Sequence, residues 1–371
     1  RRGGWDCHGL PVEIEVEKQL GFSGKDQIEK FGVAEFNARC RKSAFDYIQD
    51  WERMTERIGF WVDLKTAYVT YENEYIESVW WILKQFWDKG LIYQGFKVVP
   101  YCARCGTPLS DHEVSLGYQD DTEDPSVFVR FPLKDEPNTS FLVWTTTPWT
   151  LPANLAVAVH PDIQYVEVLD VATKEHYVLA ETRLAAYYKS TEEYSITKKF
   201  TGDKLEGESY VPLFPYFKHF KSQGAFRVVL GDHVTATDGT GLVHTAPAHG
   251  EEDFQVAKKY GIPLADVTDY EGNITELAPE FKGLNLKDAD REIIKYLKQT
   301  GALVRHETIN HNYPFCWRSD TPLMNKAIST WFVRLDPIKQ KLIECNKETR
   351  WVPEHLRDSR FGNWLENARD W

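Results

Sequence analysis

The thirteen tryptophans of this chain are placed as no single core would place them. Trp5, Trp51, Trp61, Trp80, Trp81 and Trp87 crowd the first hundred residues, and Trp317, Trp331, Trp351, Trp364 and Trp371 the last sixty. None stands between Trp149 and Trp317. A core style that begins, stops and returns predicts one domain inserted into another, the outer one discontinuous in sequence. Length agrees: 371 residues, 42% of them hydrophobic, exceed the roughly 250 to 300 at which one core stops growing. The expected division is an outer domain over 1–121 and 311–371, with an inserted domain over 122–310.

The first hundred residues have helical periodicity. Pro11 and Gly21 bracket VEIEVEKQL as a helix start and stop. Phe36, Cys40, Ala44, Tyr47, Trp51, Met54 and Ile58 recur at spacings of three and four, which predicts one long amphipathic helix. A third helix is expected near Glu74 to Lys89, ended by Gly90, and LIYQGFKVVPY then has strand character. From about residue 122 alternating strands such as SVFVRF, YVEVL and HYVLA take over, separated by Pro, Asp, Asn and Gly clusters. Helical stretches near Glu251–Tyr260 and Asp288–Thr300 interrupt this β-rich body, and no internal repeat is apparent.

No run of eighteen apolar residues occurs, and the amino terminus carries neither a signal core nor a presequence, so a soluble protein is expected. The opening Arg1, Arg2, Gly3, Gly4, with methionine only at Met54 and Met324, leads us to expect an internal piece of a longer polypeptide. Six cysteines are too sparse for a disulfide framework, and the CxxC at Cys102 and Cys105 points to a reducing, cytoplasmic setting. A net charge of -12 opposes generic phosphate affinity, so any RNA contact must be local, at bases such as Lys198, Lys199, Lys218, Lys221, Lys258 and Lys259.

Four segments carry chemistry. GWDCHGLPVE sets Asp6 and His8 in a glycine turn ahead of the helix begun by Pro11, where a carboxylate can pair with an ammonium or simply mark the helix entry. WTTTPWTLPAN runs from Trp144 to Asn154; Thr145, Thr146 and Thr147 put hydroxyls on alternate faces of a strand before Pro148 breaks it, as pocket lining or as a solvated edge. GTGLVHTAPAHGEEDF runs from Gly239 to Phe254, with His244 before a helix start, then His249, and Asp253 inside it; the acids there serve a ligand cation or the helix dipole. Cys102 and Cys105, followed by Gly106, form half of a zinc knuckle, for which Cys316, Ser319, His311 and His112 are the remaining candidates. Cys7, Cys40 and Cys345 lack metal spacing and are expected to be buried structural thiols.

Taken together and in order with ESVWWILKQFWDKGLIYQG, YPFCWRSDTPL and STWFVRLD, these segments resemble isoleucyl-tRNA synthetase, a class I aminoacyl-tRNA synthetase, along essentially the whole chain. The resemblance implies an α/β Rossmann-type catalytic domain, discontinuous in sequence, with an inserted β-rich α+β editing domain, the two joined through the knuckle halves in 1–121 and 311–371. It implies that Asp6 holds the isoleucine ammonium and that Trp331 lines the isoleucine pocket. For editing it implies Thr145, Thr146, Thr147, Asn154, His244 and Asp253, with Asp253 anchoring the ammonium of a misattached valine and no covalent protein nucleophile. One methylene discriminates weakly, so a second, hydrolytic sieve is needed, an argument for which this family is itself the standard example.

The implied parent activity attaches isoleucine to its tRNA through an adenylate, using ATP and magnesium, and edits valyl-tRNA; a monomer free of membrane is implied. Two departures stand out. The HIGH-type and KMSKS-type motifs that handle ATP are not within these residues, and Ser319 occupies the position of a fourth knuckle cysteine beside Cys102, Cys105 and Cys316. The rival readings are a tRNA-binding or structural module without catalysis of its own, and a valyl or leucyl relative.

Overall fold

The computed structural model describes residues 1–22 and 24–371. Contacts divide the chain into two compact units, one of Arg1–Phe96 with Ser329–Trp371, the other of Lys97–Ile328. The strand-rich interval 122–310 lies inside the second unit, which also takes in both knuckle segments.

The smaller unit begins with strand β1 (Arg2–Trp5), followed by α1 (Leu10–Leu20), α2 (Lys25–Phe31), α3 (Val33–Ser43), α4 (Ile48–Arg57), β2 (Asp63–Val69) and α5 (Asn73–Asp88). β1 and β2 pair in parallel. Helix α1 opens with Pro11 in its first turn and closes on Gly21 in the left-handed conformation, φ 68°, which a residue without Cβ adopts freely. The long helix expected across Phe36 to Ile58 is two helices. At Ala44 to Tyr47 the backbone tightens to three-residue bonds, Phe45 N–H to Lys42 O and Asp46 N–H to Ser43 O, and the Phe45 ring packs edge-on against Tyr71. A tertiary aromatic contact outweighs continuous helical spacing there.

The chain passes between the units along β3 (Ile92–Cys102) and returns along β14 (Met324–Val333). Between them come β4 (Thr107–Pro108), α6 (Asp111–Ser115), β5 (Tyr118–Pro132), β6 (Thr139–Thr145), β7 (Ala156–Val159), β8 (Gln164–Asp170), β9 (His176–Ala180), α7 (Leu184–Tyr187), β10 (Tyr194–Thr201), β11 (Arg227–Leu230), β12 (Leu242–Thr245), α8 (Glu251–Tyr260), α9 (Leu286–Gln299) and β13 (Leu303–Pro314). The smaller unit ends with α10 (Asp336–Glu348) and α11 (Gly362–Glu366).

In the larger unit six strands form a mixed sheet in the order β10-β8-β9-β6-β5-β13, antiparallel except where β6 meets β9. A second sheet has the order β11-β7-β12, with β7 parallel to β11 and antiparallel to β12. Every residue of β7 is buried, and Phe141, Leu142 and Val143 of β6 are fully so; these continuous apolar runs are strands covered on both faces. On one side of this core α9 presents Ala289, Ile293 and Leu297, all buried, and its amino end is capped by the Asn285 side chain accepting from Lys287 N–H. Helix α8 has Glu251, Glu252 and Asp253 in its first turn, Lys258 and Lys259 in its last, and Gly261 at φ 69° as its stop, a charge order matched to the helix dipole.

Candidate functional site

The threonine segment leaves β6 at Thr145 and turns into a 3-10 helix, Pro148–Ala153, all of whose residues are buried. The strand ends at Thr145, short of Pro148, so Thr146 and Thr147 lie in the turn and not on the strand where they were expected, and Pro148 opens the 3-10 helix. Thr145 and Thr147 share a side across the turn, with Oγ1 atoms 3.3 Å apart and the Thr147 N–H donating to Thr145 Oγ1 at 3.2 Å. Thr147 Oγ1 lies 3.3 Å from Thr150 Oγ1, which donates to the Thr147 carbonyl at 2.8 Å. Thr146 points elsewhere and is half-buried.

β12 brings His244 to this turn, opposite Val157 in the register with β7. Its Nε2 is 2.8 Å from Thr150 Oγ1, and its Nδ1 is 3.5 Å from Asn154 Nδ2. Asn154 also donates to the Ala156 carbonyl at 2.8 Å and accepts from the Tyr210 hydroxyl at 2.6 Å. Burial holds the imidazole down at about 4, with His249 adding to the effect, so at neutral pH the ring is uncharged. Thr145, Thr147, Asn154 and His244 therefore form one hydrogen-bonded chain, and Thr150 and Tyr210, absent from the sequence-derived set, complete it. Thr150 lay in plain sight within TTTPWT; nothing local to Tyr210 points to the site.

Asp253 approaches from α8. Its Oδ2 accepts the backbone N–H of Ala246, two residues beyond His244, at 2.9 Å. Burial pushes the carboxyl up to about 7, against the pull of that N–H, while Glu252 adds a like charge. The residue as a whole is half-buried, and an ammonium paired with the carboxyl would draw it back to its ionised form. The approach depends on Gly250: a Cβ at that position would stand 2.7 Å from Asp253 Oδ2 and 2.8 Å from its Cγ. Beside the turn, a buried carboxylate from α9, Asp290, accepts the Trp149 N–H at 2.8 Å and so holds the start of the 3-10 helix; burial raises it to about 7. His249 sits edge-on to the Trp149 ring at 4.8 Å and donates from Nδ1 to Asn325 O at 3.2 Å.

A second constellation lies at the knuckles. Pro100-Tyr-Cys-Ala-Arg-Cys-Gly-Thr-Pro-Leu109 and Pro314-Phe-Cys-Trp-Arg-Ser-Asp-Thr-Pro-Leu323 are copies of one turn, a short internal repeat that is legible in the aligned residues although none was expected. The Gly106 N–H bonds Cys102 O at 2.9 Å and the Asp320 N–H bonds Cys316 O at 2.8 Å, with positive φ of 66° and 51°. Leu109 and Leu323 pack with Cys102 and Cys316 in one small core. The sulfurs of Cys102, Cys105 and Cys316 lie within 4.8 Å of one another, and Cys105 Sγ is 3.9 Å from Cys316 Sγ. Thiolates bound at 2.3 Å to a tetrahedral zinc stand about 3.8 Å apart, so the spacing fits the ion. Ser319 Oγ and Thr321 Oγ1 each lie 3.3 Å from Cys102 Sγ. Hydrogen bonding from Cys105, with help from both hydroxyls, draws the Cys102 thiol down and pushes Cys105 up. His311 is engaged elsewhere, with buried Asp124 at 3.0 Å, and His112 lies on α6.

In the smaller unit Asp6 is exposed and accepts from the His8 N–H at 3.3 Å, while Trp331 is exposed and meets Trp87 edge-on at 6.3 Å. No hydrogen bond or ring contact joins Asp6 to Trp331 among the described residues. Cys7 and Cys40 are half-buried at a cavity of about 230 Å³ with His8 and Arg41, and burial raises both thiols. Cys345, expected inside, is exposed, because only Asn346 of α10 is buried. Of the candidate RNA-facing lysines, Lys198 pairs with Glu167 and Glu136, and Lys199 with Glu181. No helix is long and apolar enough to cross a membrane among the described residues.

Comparison with known proteins is consistent across the chain. The isoleucine–tRNA ligase of Protochlamydia amoebophila is 49% identical over 371 residues, covering 100% of this chain and 36% of that protein. The cytoplasmic isoleucine–tRNA ligase of Mus musculus is 48% identical over 377 residues, 100% of this chain and 30% of its own. That of Clostridium acetobutylicum is 48% identical, with 100% and 35% covered. The chain thus spans about a third of the length of these curated relatives. Among solved structures, the P. knowlesi cytosolic leucyl-tRNA synthetase editing domain matches 51% of this chain and 98% of its own, at 10% identity and a TM-score of 0.38, too low to bear on the fold. The family model described as tRNA synthetases class I (I, L, M and V) matches residues 1–371, and the chain belongs to that family.

Proposed function

We propose that this chain is part of an isoleucine-specific synthetase that joins isoleucine to its tRNA with ATP and magnesium, and that its larger unit hydrolyses valine misattached to that tRNA. The observation that carries the editing half is the convergence of Thr145, Thr147, Asn154 and His244 on one hydrogen-bonded chain, with Asp253 bound at the adjoining backbone. In this reading 122–310 is the editing domain, flanked by the knuckle-bearing and catalytic segments 1–121 and 311–371. The parallel pair β1 and β2 supports a share in a Rossmann-type catalytic sheet, with Asp6 and Trp331 at the isoleucine pocket. The protein works in the cytoplasm as a monomer.

The chemistry follows from the side chains. Asp253 is a fixed anion for the α-ammonium of the misattached residue, and pairing there recovers the cost of burying its charge. Thr145 and Thr147 bound the space beside the ester, and Thr146, expected with them, does not join their hydrogen-bonded chain. Water attacks the carbonyl, the ester C–O bond breaks, and free valine and tRNA leave. A threonine nucleophile would need a base to take its proton, and the hydroxyls are bonded to one another and to an imidazole of depressed basicity. Cys102, Cys105 and Cys316 would hold a structural zinc that ties the two knuckles together, with Ser319, a poor zinc ligand, where a fourth cysteine would stand.

The test is hydrolysis of valyl-tRNA by this chain. The expected outcome is ester cleavage that falls by about a hundred-fold in Asp253→Ala, the scale of losing one charged anchoring contact. An Asp253→Ala protein that cleaves at the parent rate would overturn the assignment. Isoleucine-dependent pyrophosphate exchange is expected to be absent from the chain alone, since the ATP-handling motifs are not within it.

A further inference from the structure

We infer that Thr150 is a positioning residue that locks His244 as the neutral Nε2–H tautomer, so that His244 enters the pocket as a saturated wall and not as a general base. The argument is one of hydrogen-bond polarity. A carbonyl only accepts, so the 2.8 Å contact from Thr150 Oγ1 to Thr147 O uses the single hydroxyl proton of Thr150. The equally short contact between Thr150 Oγ1 and His244 Nε2 must then run the other way, with Nε2–H as donor. The reverse arrangement would press two oxygens together at 2.8 Å without a proton between them.

The far side of the ring imposes the same answer. The Ala156 carbonyl orients the Asn154 amide so that Nδ2 faces it, and the Tyr210 hydroxyl, donating to Oδ1, agrees. The second Nδ2 hydrogen is left to face His244 Nδ1, which must be the unprotonated nitrogen. Two acceptor-only carbonyls, at Thr147 and Ala156, thus determine the protonation of a buried imidazole placed between them. With the Nε2 proton given to Thr150 and the Nδ1 lone pair facing an amide donor, no lone pair is offered to a water at the ester.

The tautomer stands on geometry alone; its catalytic meaning rests on the editing reading. The experiment records the ring ¹⁵N resonances of His244 in the 371-residue chain, assigned by loss of its signals in His244→Gln, with valyl-tRNA hydrolysis measured in parallel. The parent is expected to show a protonated Nε2 and an unprotonated Nδ1. Thr150→Ser, which keeps the hydroxyl, should retain both the pattern and the rate. Thr150→Val, nearly the same shape without the acceptor, leaves Asn154 alone to orient the ring; it should keep Nδ1 unprotonated but move the Nε2–H resonance off its hydrogen-bonded position, and hydrolyse about ten-fold more slowly, the size of one buried hydrogen bond. A Nδ1–H pattern in the parent, or an Nε2–H resonance and a rate both unaltered in Thr150→Val, would overturn the proposal. Should no variant hydrolyse the ester, the editing reading fails and the nitrogen spectrum still decides the tautomer.

Discussion

Replacing Gly250 by alanine tests the candidate pocket with a single methyl group. The backbone at Gly250 is extended, φ -145° and ψ 133°, a conformation alanine adopts without strain, so the cost comes from what the methyl meets. It meets one residue: Asp253, with Oδ2 at 2.7 Å, Cγ at 2.8 Å and Cβ at 3.2 Å. The carboxylate must retreat by several tenths of an ångström, away from the Ala246 N–H it accepts at 2.9 Å. Losing that buried bond costs about 1 to 3 kcal/mol, and displacing an anchoring group by roughly 1 Å costs about a hundred-fold in rate. The assay is kcat/KM for valyl-tRNA hydrolysis, combined with urea unfolding, in Gly250→Ala, Asp253→Ala and the double variant. If the methyl acts through Asp253, the double variant is no slower than Asp253→Ala. Gly250→Ser separates this effect from helix capping: serine is a better N-cap than alanine yet carries the same Cβ, so it should lose activity equally. Full activity in Gly250→Ala, or losses that simply add in the double variant, would refute the reasoning.

Two further outcomes follow from buried and metal-facing groups. Asp290 has its carboxyl raised to about 7, above the roughly 3.9 of an unfolded chain, so the native state keeps a proton that the unfolded state releases. Its contribution to stability is therefore full below about pH 4, declines as pH rises toward 7, and is flat above; the ceiling is about 4 kcal/mol for about three units. Asp290→Asn, which still accepts from the Trp149 N–H, should flatten the decline and unfold at higher urea than the parent at pH 8 but not at pH 4; equal midpoints at pH 8 would count against a buried charge there. At the knuckles, Ser319→Cys supplies a fourth thiolate and should tighten zinc by about ten-fold or more in competition with a chromophoric chelator, whereas Cys316→Ser should weaken it. Unchanged affinity in both would show that the cluster is not a zinc site.

The legibility of this protein divides by range. Pro11 and Gly21 delimit α1, the acids and lysines of EEDFQVAKKY delimit α8, and the Trp-free interval falls inside one compact unit, because caps, dipoles and core composition are written in neighbouring residues. Periodicity failed at Ala44 to Tyr47, where Phe45 follows a ring that is distant in sequence. The family motifs named most of the candidate pocket, but not Thr150, Tyr210, Gly250 or Asp290. Thr150 stands within the threonine motif, but nothing near Tyr210, Gly250 or Asp290 in the chain ties them to the site; each matters through a partner.

What the sequence by itself determined, then, is where capped helices such as α1 and α8 begin and end, and the residue types available for chemistry. Only the tertiary structure decided which of those groups meet and in which protonation state. It folded Cys316 and Ser319 against Cys102 and Cys105, 211 or more residues away, and it set His244 between the Thr147 and Ala156 carbonyls through Thr150 and Asn154. The reason is physical: propensity and capping act within a few residues of chain, whereas desolvation and hydrogen-bond polarity depend on everything packed around a group.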